Sequence, residues 1–187
     1  MRIVAGKYGS RHLKSPGKLR LRPTSDRLRE TLFDILGPQV ESARFIDAYA
    51  GTGAVGIEAL SRGAQRAIFL EIAKGAAALI RENLEMLGAG ADADILHGDA
   101  LRGLARLHAR GERADFIFLD PPYEDAEAYR RALEFLGHSA PLAPRGAIVI
   151  EHASTFALPE FIGKIECARR VHQGDATLSF YRLMPGG

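Results

Sequence analysis

The sequence predicts an α/β fold: a doubly wound Rossmann-like sheet, mostly parallel with an antiparallel last strand, and a small N-terminal extension made of a β-hairpin and a helix. From residue 44 onward, short apolar runs alternate with segments of helical periodicity. This alternation is typical of parallel strands joined by crossover helices. The 187 residues, 47% of them hydrophobic, are also enough for one core without a disulfide or a structural metal.

Residues 1–38 are predicted to form the extension, and residues 39–187 the α/β domain. Residues 2–13 mix short apolar runs with glycines, which favours a β-hairpin. Thr24 or Ser25 is placed to cap a helix, whose apolar residues repeat at helical spacing up to Gly37-Pro38.

The remaining apolar runs predict five strands with four helices between them. The strands centre on residues 45–46, 67–70, 95–96, 116–119 and 147–150, and the helices on 55–60, 76–87, 101–107 and 129–136. A closing antiparallel pair is predicted at 165–171 and 177–183. Ligands of such sheets bind beyond the carboxyl ends of the strands, and an acid follows each of the five: Asp47, Glu71, Asp99, Asp120 and Glu151.

The net charge of +2 is unevenly distributed along the chain. Residues 1–29 contain nine Lys or Arg and one acid, whereas residues 30–187 contain 16 Lys or Arg and 22 acids. A basic segment on an acidic body is typical of a chain that approaches a polyanion with one end, and a solvated basic tail is the alternative. No apolar run reaches the roughly 18 residues of a membrane helix. The single cysteine suits a reducing compartment, so we expect a soluble, cytoplasmic protein without a membrane partner.

A glycine-rich loop follows the first strand. Gly51, Gly53 and Gly56 satisfy the G-x-G-x-x-G spacing, which fits either a dinucleotide or S-adenosylmethionine. Glu71 stands 20 residues after Gly51, where an acid would bind the ribose of either ligand. Asp47 distinguishes the two, because a carboxylate there would repel a pyrophosphate and attract the cationic amino-acid end of S-adenosylmethionine.

Two further strand ends carry acids with a specific chemical use. The Asp99 carboxylate could accept a hydrogen bond from an adenine amino group, or it could cap the next helix. In Asp120-Pro121-Pro122-Tyr123, the prolines make a rigid loop in which Asp120 and the Pro121 carbonyl offer two acceptors to an exocyclic amine. Tyr123 offers a face on which an extruded base can stack. A plain turn is the alternative.

With these motifs, residues 22–33, 56–64 and 174–176 and Tyr181 resemble the RsmD family, Rossmann-type methyltransferases that use S-adenosylmethionine to methylate N2 of one guanine in 16S rRNA. The likeness spans nearly the whole chain. It implies cofactor contacts at Asp47, Tyr49, Ala50, Gly51, Thr52, Gly53, Ala54, Glu71, Ile72, Asp99 and Ala100, and a catalytic loop of Asp120, Pro121, Pro122 and Tyr123. The residues that would contact 16S rRNA in a partly assembled small subunit are Arg2, Lys7, Arg11, Lys14, Arg20, Arg22, Thr24 and Arg27.

The sequence departs from this family at two positions. Ala73 stands where many relatives have a second acid, and Tyr123 replaces a frequent Phe. The histidines lack metal-ligand spacing, so we expect no metal. Cys167 is expected in a buried late strand, so we expect no covalent intermediate. We also expect the protein to be a monomer. The alternatives are methylation of adenine N6 or cytosine N4 in DNA or another RNA, an NAD-dependent oxidoreductase, and a non-catalytic RNA-binding adapter.

Overall fold

The computed structural model describes residues 1–14, 24–122 and 125–185, and the chain divides into two compact units, Met1–Ala100 and Leu101–Gly187. The first unit contains α1 (Asp26–Leu36), a 3-10 turn (Gly37–Val40), β1 (Arg44–Ala48), α2 (Ala54–Ser61), β2 (Arg66–Glu71), α3 (Lys74–Leu87), a second 3-10 turn (Gly90–Asp92) and β3 (Ala93–His97). Its strands are parallel and lie in the order β3-β2-β1.

The core of the first unit lies between the sheet and its helices. β1 and β2 are buried over nearly their whole length, as expected for parallel strands covered by helices. Ile57 of α2, Phe69 of β2 and Ile80 of α3 are fully buried in one apolar cluster. This cluster packs α2 and α3 against β2, whose last residue is the strand-end acid Glu71.

Residues 1–14 form an arm that packs on the first unit. Arg2 and His12 form an antiparallel bridge, and the Ile3 amide donates to the Arg11 carbonyl at 3.0 Å, so the arm folds back as a hairpin with a single bridge. Ile3 and Leu13 are 1% and 5% exposed and belong to the apolar cluster. The arm is therefore anchored by core burial, while the predicted domain boundary at residue 38 stays a prediction.

The helix α1 begins where the sequence predicts it. Ser25 is the N-cap, and its Oγ accepts a hydrogen bond from the Leu28 amide at 3.1 Å. Leu28, Leu32 and Leu36 lie on the buried face, and the helix ends before Gly37.

The second unit contains α4 (Ala100–Ala109, which starts at the last residue of the first unit), β4 (Ala114–Leu119), α5 (Ala126–Ser139), β5 (Leu142–Ala153), β6 (Phe161–Ile162), β7 (Ile165–Gln173) and β8 (Ala176–Leu183). Its strands lie in the order β4-β5-β8-β7-β6. β4 and β5 are parallel, whereas β8 is antiparallel to both β5 and β7, which confirms the predicted antiparallel end of the sheet.

The expected burial of the lone cysteine is wrong. Cys167 lies in β7, as predicted, but it is only partly buried, because β7 exposes most of its length to solvent. Burial nevertheless raises the pKa of the Cys167 thiol.

No helix in the described ranges combines the length and the apolar composition that crossing a membrane requires.

Candidate active site

The loop between β1 and α2 has an unusual backbone. Tyr49, Gly51 and Gly53 have positive φ values of 65°, 55° and 74°. Two features disfavour a side chain at Gly53. Its positive φ strains any residue other than glycine, and a Cβ would lie 2.9 Å from the Ile80 Cγ1. Tyr49 adopts the left-handed conformation without being glycine, which is the kind of local strain found at ligand sites.

Asp47 lies within β1 and is 2% exposed. Its Oδ2 accepts a hydrogen bond from the Gly56 amide at 2.8 Å, which ties the strand to the first turns of α2. Burial raises the pKa of the Asp47 carboxyl to about 8; the Gly56 hydrogen bond opposes this rise, and the negative charge of Glu71 adds to it. A buried carboxyl of this kind gains most from a cationic ligand, which would stabilise its ionised form.

Glu71 is the last residue of β2, and its carboxylate holds the glycine loop. The Oε2 accepts from the Gly51 amide at 2.7 Å, and the Oε1 accepts from the Ala73 amide at 2.7 Å. Each carboxylate oxygen retains a further lone pair, so two vicinal hydroxyls could be bound without breaking these contacts. Ala73, which departs from the family pattern, thus contributes its backbone N–H here.

The segment after Glu71 lies beside the end of β3. The Gly98 amide donates to the Glu71 carbonyl at 2.9 Å, and the His97 Nε2 lies 3.0 Å from the Ile72 carbonyl oxygen. Ile72 is 68% exposed, which is rare for a large apolar side chain and offers a surface for a flat apolar ring. Asp99 is also exposed, whereas Ala100 is buried as the first residue of α4.

The other small residues of the loop are buried beneath it. Ala50, Thr52 and Ala54 are 8%, 3% and 4% exposed. The Thr52 Oγ1 lies 3.6 Å from the Met1 Sδ, so the start of the arm contacts the loop. These three side chains pack inward, in contrast to Ile72.

In the second unit, Asp120 and the two prolines directly follow β4. Asp120 is partly buried, Pro121 is buried and Pro122 is exposed. The Tyr129 hydroxyl lies 3.0 Å from the Pro121 carbonyl oxygen and 3.1 Å from that of Glu151, so its single hydrogen is shared between these two acceptors. The predicted stacking residue, Tyr123, lies outside the described residues.

The predicted RNA-binding cations of the arm are exposed, and each has a partner. The contacts are Arg2 Nε to Asp26 Oδ2 at 3.4 Å, Lys7 Nζ to Asp92 Oδ2 at 3.9 Å, Arg11 Nη2 to the Met86 carbonyl at 2.7 Å, and Lys14 Nζ to Glu82 Oε2 at 2.9 Å. Exposed ion pairs contribute little to stability, so these cations remain exchangeable with phosphate groups.

The other predicted RNA contacts differ in their surroundings. Arg27 is exposed on α1, whereas Thr24 is only 9% exposed and presents almost no surface to RNA. Arg20 and Arg22 lie outside the described residues.

Three residues important to this architecture were given no role by the sequence analysis, although Arg29 and Glu58 lie in the stretches that resemble the RsmD family. Glu58 is a fully buried carboxylate of α2 that accepts from the Val4 amide at 2.7 Å and the Ala5 amide at 3.0 Å. Tyr129 binds the proline loop, and Arg29 is a fully buried arginine of α1 whose Nη2 donates to the Arg2 carbonyl at 2.6 Å. Their partners lie on other elements, 8 to 54 residues away in the sequence, which periodicity does not show.

Comparison with known proteins places the chain among methyltransferases. Residues 1–182 match the family model described as "Conserved hypothetical protein 95". The chain is 33% identical to the "Putative rRNA methyltransferase YlbH" of Bacillus subtilis, over 97% of this chain and 98% of that one. It is 35% identical to the "Ribosomal RNA small subunit methyltransferase D" of Escherichia coli, over 85% and 78% of the two chains.

A solved structure shows the same fold. The "Putative methyltransferase yhhF from Escherichia coli" matches with a TM-score of 0.85 and 30% identity, over 98% of this chain and 97% of that chain. This match confirms the predicted Rossmann-like methyltransferase fold.

Proposed function

Because the chain belongs to the RsmD family of S-adenosylmethionine-dependent methyltransferases, we propose that it methylates the exocyclic N2 of a specific guanine in 16S rRNA. The names of the two relatives support an rRNA substrate. The observation that carries the choice of an amine is the Asp120-Pro121 pair, a carboxylate followed by a carbonyl in a proline-restricted loop directly after β4. We infer a cytoplasmic monomer that acts during assembly of the small ribosomal subunit.

The first unit has the chemistry to hold the cofactor. Asp47 would receive its cationic amino end, and Glu71, already oriented by two amides, would bind the ribose hydroxyls. Asp99 would accept from the adenine amino group, and the adenine ring would pack on exposed Ile72. The buried carboxyl of Asp47, with its pKa raised to about 8, supports this assignment, because a cationic group restores the charge that burial disfavours.

S-adenosylmethionine held by these residues would supply an electrophilic methyl group on its sulfonium, and the N–C bond would form as the C–S bond breaks. The Asp120 carboxylate and the Pro121 carbonyl would each accept one N–H of the guanine amine. Holding both hydrogens directs the nitrogen lone pair toward the methyl group, and the same acceptors stabilise the positive charge that develops on nitrogen. The Asp120 carboxylate would also take the proton that N2 loses.

The arm would bind the rRNA backbone. Arg2, Lys7, Arg11 and Lys14 are exposed along residues 1–14, and Arg27 is exposed on α1. Contacts of this kind bring the enzyme to the RNA without selecting the base, so specificity would depend on an accessible, unstacked guanine.

The test uses small ribosomal subunits from cells that lack the protein, incubated with the purified enzyme and S-adenosylmethionine carrying a labelled methyl group. We expect one labelled N2-methylguanine in 16S rRNA, located by nuclease digestion and mass spectrometry. Asp120→Ala should lower kcat by about 10²–10³-fold, which is the usual effect of removing one hydrogen-bonding group that stabilises charge in the transition state. Asp115→Ala changes an aspartate in β4 itself and should keep wild-type kcat.

Two outcomes contradict this function. Methyl transfer to adenine N6 or cytosine N4, in DNA or in another RNA, would assign the same loop to a different base. Unchanged turnover in the Asp120→Ala variant would remove the amine-orienting role from this residue.

A further inference from the structure

The Asp120-Pro121-Pro122 loop cannot be held through the amides of its own prolines. Neither Pro121 nor Pro122 has an N–H, so two consecutive backbone donors are missing. The loop can still be held through its carbonyl groups, each of which needs a donor from elsewhere. For the buried Pro121 carbonyl that donor is the hydroxyl of Tyr129.

Tyr129 is held in position by packing, and its hydroxyl contacts both the loop after β4 and the strand β5. It lies in the first turn of α5, is 2% exposed, and its ring centroid is 5.2 Å from that of Phe156. Its hydroxyl contacts the carbonyls of Pro121, after β4, and Glu151, in β5. Leu119 and Ile150 are the last paired residues of β4 and β5, so the hydroxyl connects these two strands just beyond the end of their pairing.

We propose that Tyr129 is a positioning residue for methyl transfer, because its hydroxyl sets the direction of the Pro121 carbonyl. A carbonyl oxygen has two lone pairs. The Tyr129 hydrogen bond uses one of them, and the other is then the one directed to the guanine amine. This inference rests on the proposed function and assigns to it a residue that does not itself touch the substrate.

Tyr129→Phe removes the donor and keeps the ring that packs on Phe156. We expect kcat to fall by about 10–100-fold, because a small misplacement of an orienting group has a cost of this size. The affinity for S-adenosylhomocysteine should stay at the wild-type value, because the proposed cofactor contacts lie in residues 47–100. The affinity for the ribosomal subunit should also be unchanged, which separates an effect on kcat from one on KM.

Tyr181→Phe is the matched control. Tyr181 is fully buried in β8, and its hydroxyl also donates to a proline carbonyl, that of Pro159 at 2.6 Å. Both variants therefore lose a hydroxyl that donates to a proline carbonyl in the same unit, and Tyr129→Phe also loses the contact with the Glu151 carbonyl. We expect similar decreases in Tm, with wild-type kcat in Tyr181→Phe.

A rescue experiment distinguishes positioning from general stability. Replacing Tyr129 with 4-aminophenylalanine keeps an N–H donor at the ring position of the hydroxyl, and we expect it to restore kcat. Turnover is counted per molecule that binds S-adenosylhomocysteine, so unfolded protein does not contribute.

The outcomes are distinct. Wild-type kcat in Tyr129→Phe, an equal loss in Tyr181→Phe, or no recovery with 4-aminophenylalanine would each overturn the role of Tyr129. Loss of S-adenosylhomocysteine binding in Tyr129→Phe would do so too, because the hydroxyl would then hold the fold rather than the loop. If the wild-type enzyme labels no guanine N2, it is the proposed function that fails.

Discussion

At the scale of a single residue, Asp47 destabilises the free protein but favours the binding of a cationic ligand. Its carboxyl is buried in β1, where ionisation is costly, and one backbone amide, that of Gly56, is its hydrogen-bond donor in the described structure. Retaining such a group is unfavourable for the free protein and useful for binding a cation. The raised pKa of about 8 makes this conflict measurable.

The first prediction concerns Asp47→Asn. The folded state holds the Asp47 proton up to about pH 8, whereas the unfolded chain releases it near 3.8, so the wild-type free energy of unfolding decreases as the pH rises between these values. Asparagine does not titrate and can still accept from Gly56. The Tm advantage of the variant should therefore grow steadily from pH 4 to pH 8, as linkage requires for a carboxyl whose pKa is raised by folding.

Calorimetry across this pH range measures the Tm difference, and a cofactor titration at pH 8 should show binding that is about 10–100-fold weaker, the effect of losing a hydrogen bond to a charged group. Asp34→Asn, an exposed aspartate of α1, is the control and should show no such growing advantage. A Tm difference that is independent of pH would contradict the assignment.

At the scale of elements, α2 connects the glycine loop to the arm. Its N-cap is Gly53, and its later turns bind the arm through Glu58 and Ser61. Glu58 accepts from Val4, Ala5 and the Arg62 Nε, while the Ser61 Oγ accepts from the Tyr8 amide at 3.0 Å. The same helix thus presents its first turn to the proposed cofactor and its last turns to the proposed RNA-binding segment.

Glu58→Gln should loosen the arm. Glutamine replaces one carboxylate oxygen with an NH₂ group, which faces backbone or guanidinium donors and leaves at least one of them unpaired. An unsatisfied buried donor costs about 1–3 kcal/mol, so hydrogen exchange of the Val4 and Ala5 amides should accelerate roughly 5–150-fold. Glu85→Gln, on the exposed side of α3, should leave the exchange of these amides unchanged. Unaltered exchange in Glu58→Gln would show that the contacts of Glu58 do not hold the arm.

The strands also show which parts of the fold could be predicted from the sequence pattern. The apolar runs predicted β1 and β2 because both strands are buried on both faces, and they predicted β3 from Ile95-Leu96 although that strand is only partly buried. In β5 they predicted only residues 147–150 of Leu142–Ala153, since the earlier part includes Pro144 and Arg145 and the two ends owe their pairing to β4 and β8. β6 has two residues, too few for any periodicity.

The same distinction applies to the candidate site. Asp47, Glu71 and Asp120 could be selected because a strand end is a local feature of the sequence. The contacts of Glu58 and Tyr129 could not be predicted, because a glutamate or tyrosine within a helical pattern is ordinary. Glu58 gains its role only from amides 53 and 54 residues away, which the fold brings to it.

At the scale of the whole molecule, charge is divided between the start of the chain and the rest. Nine of the 25 Lys and Arg residues lie in the first 29 positions, with a single acid among them. In the described part of this segment, Lys7 pairs with Asp92 of the same unit at 3.9 Å, with both side chains about half exposed. Such a pair can exchange its acid for a phosphate at little cost, so the fold keeps the arm in place without neutralising it.

The last prediction tests this division by salt dependence. Each phosphate contact releases counterions, so the logarithm of the binding constant falls linearly with the logarithm of salt concentration. If Lys7 makes one such contact, Lys7→Gln should reduce the magnitude of that slope by about 0.7–0.9 and weaken binding at low salt. Lys164→Gln removes an exposed lysine outside the arm and should leave both quantities unchanged. Equal slopes for the wild type and Lys7→Gln would mean that Lys7 makes no phosphate contact. If Lys164→Gln reduced the slope as much as Lys7→Gln does, the protein would attract RNA through its overall charge rather than through the arm.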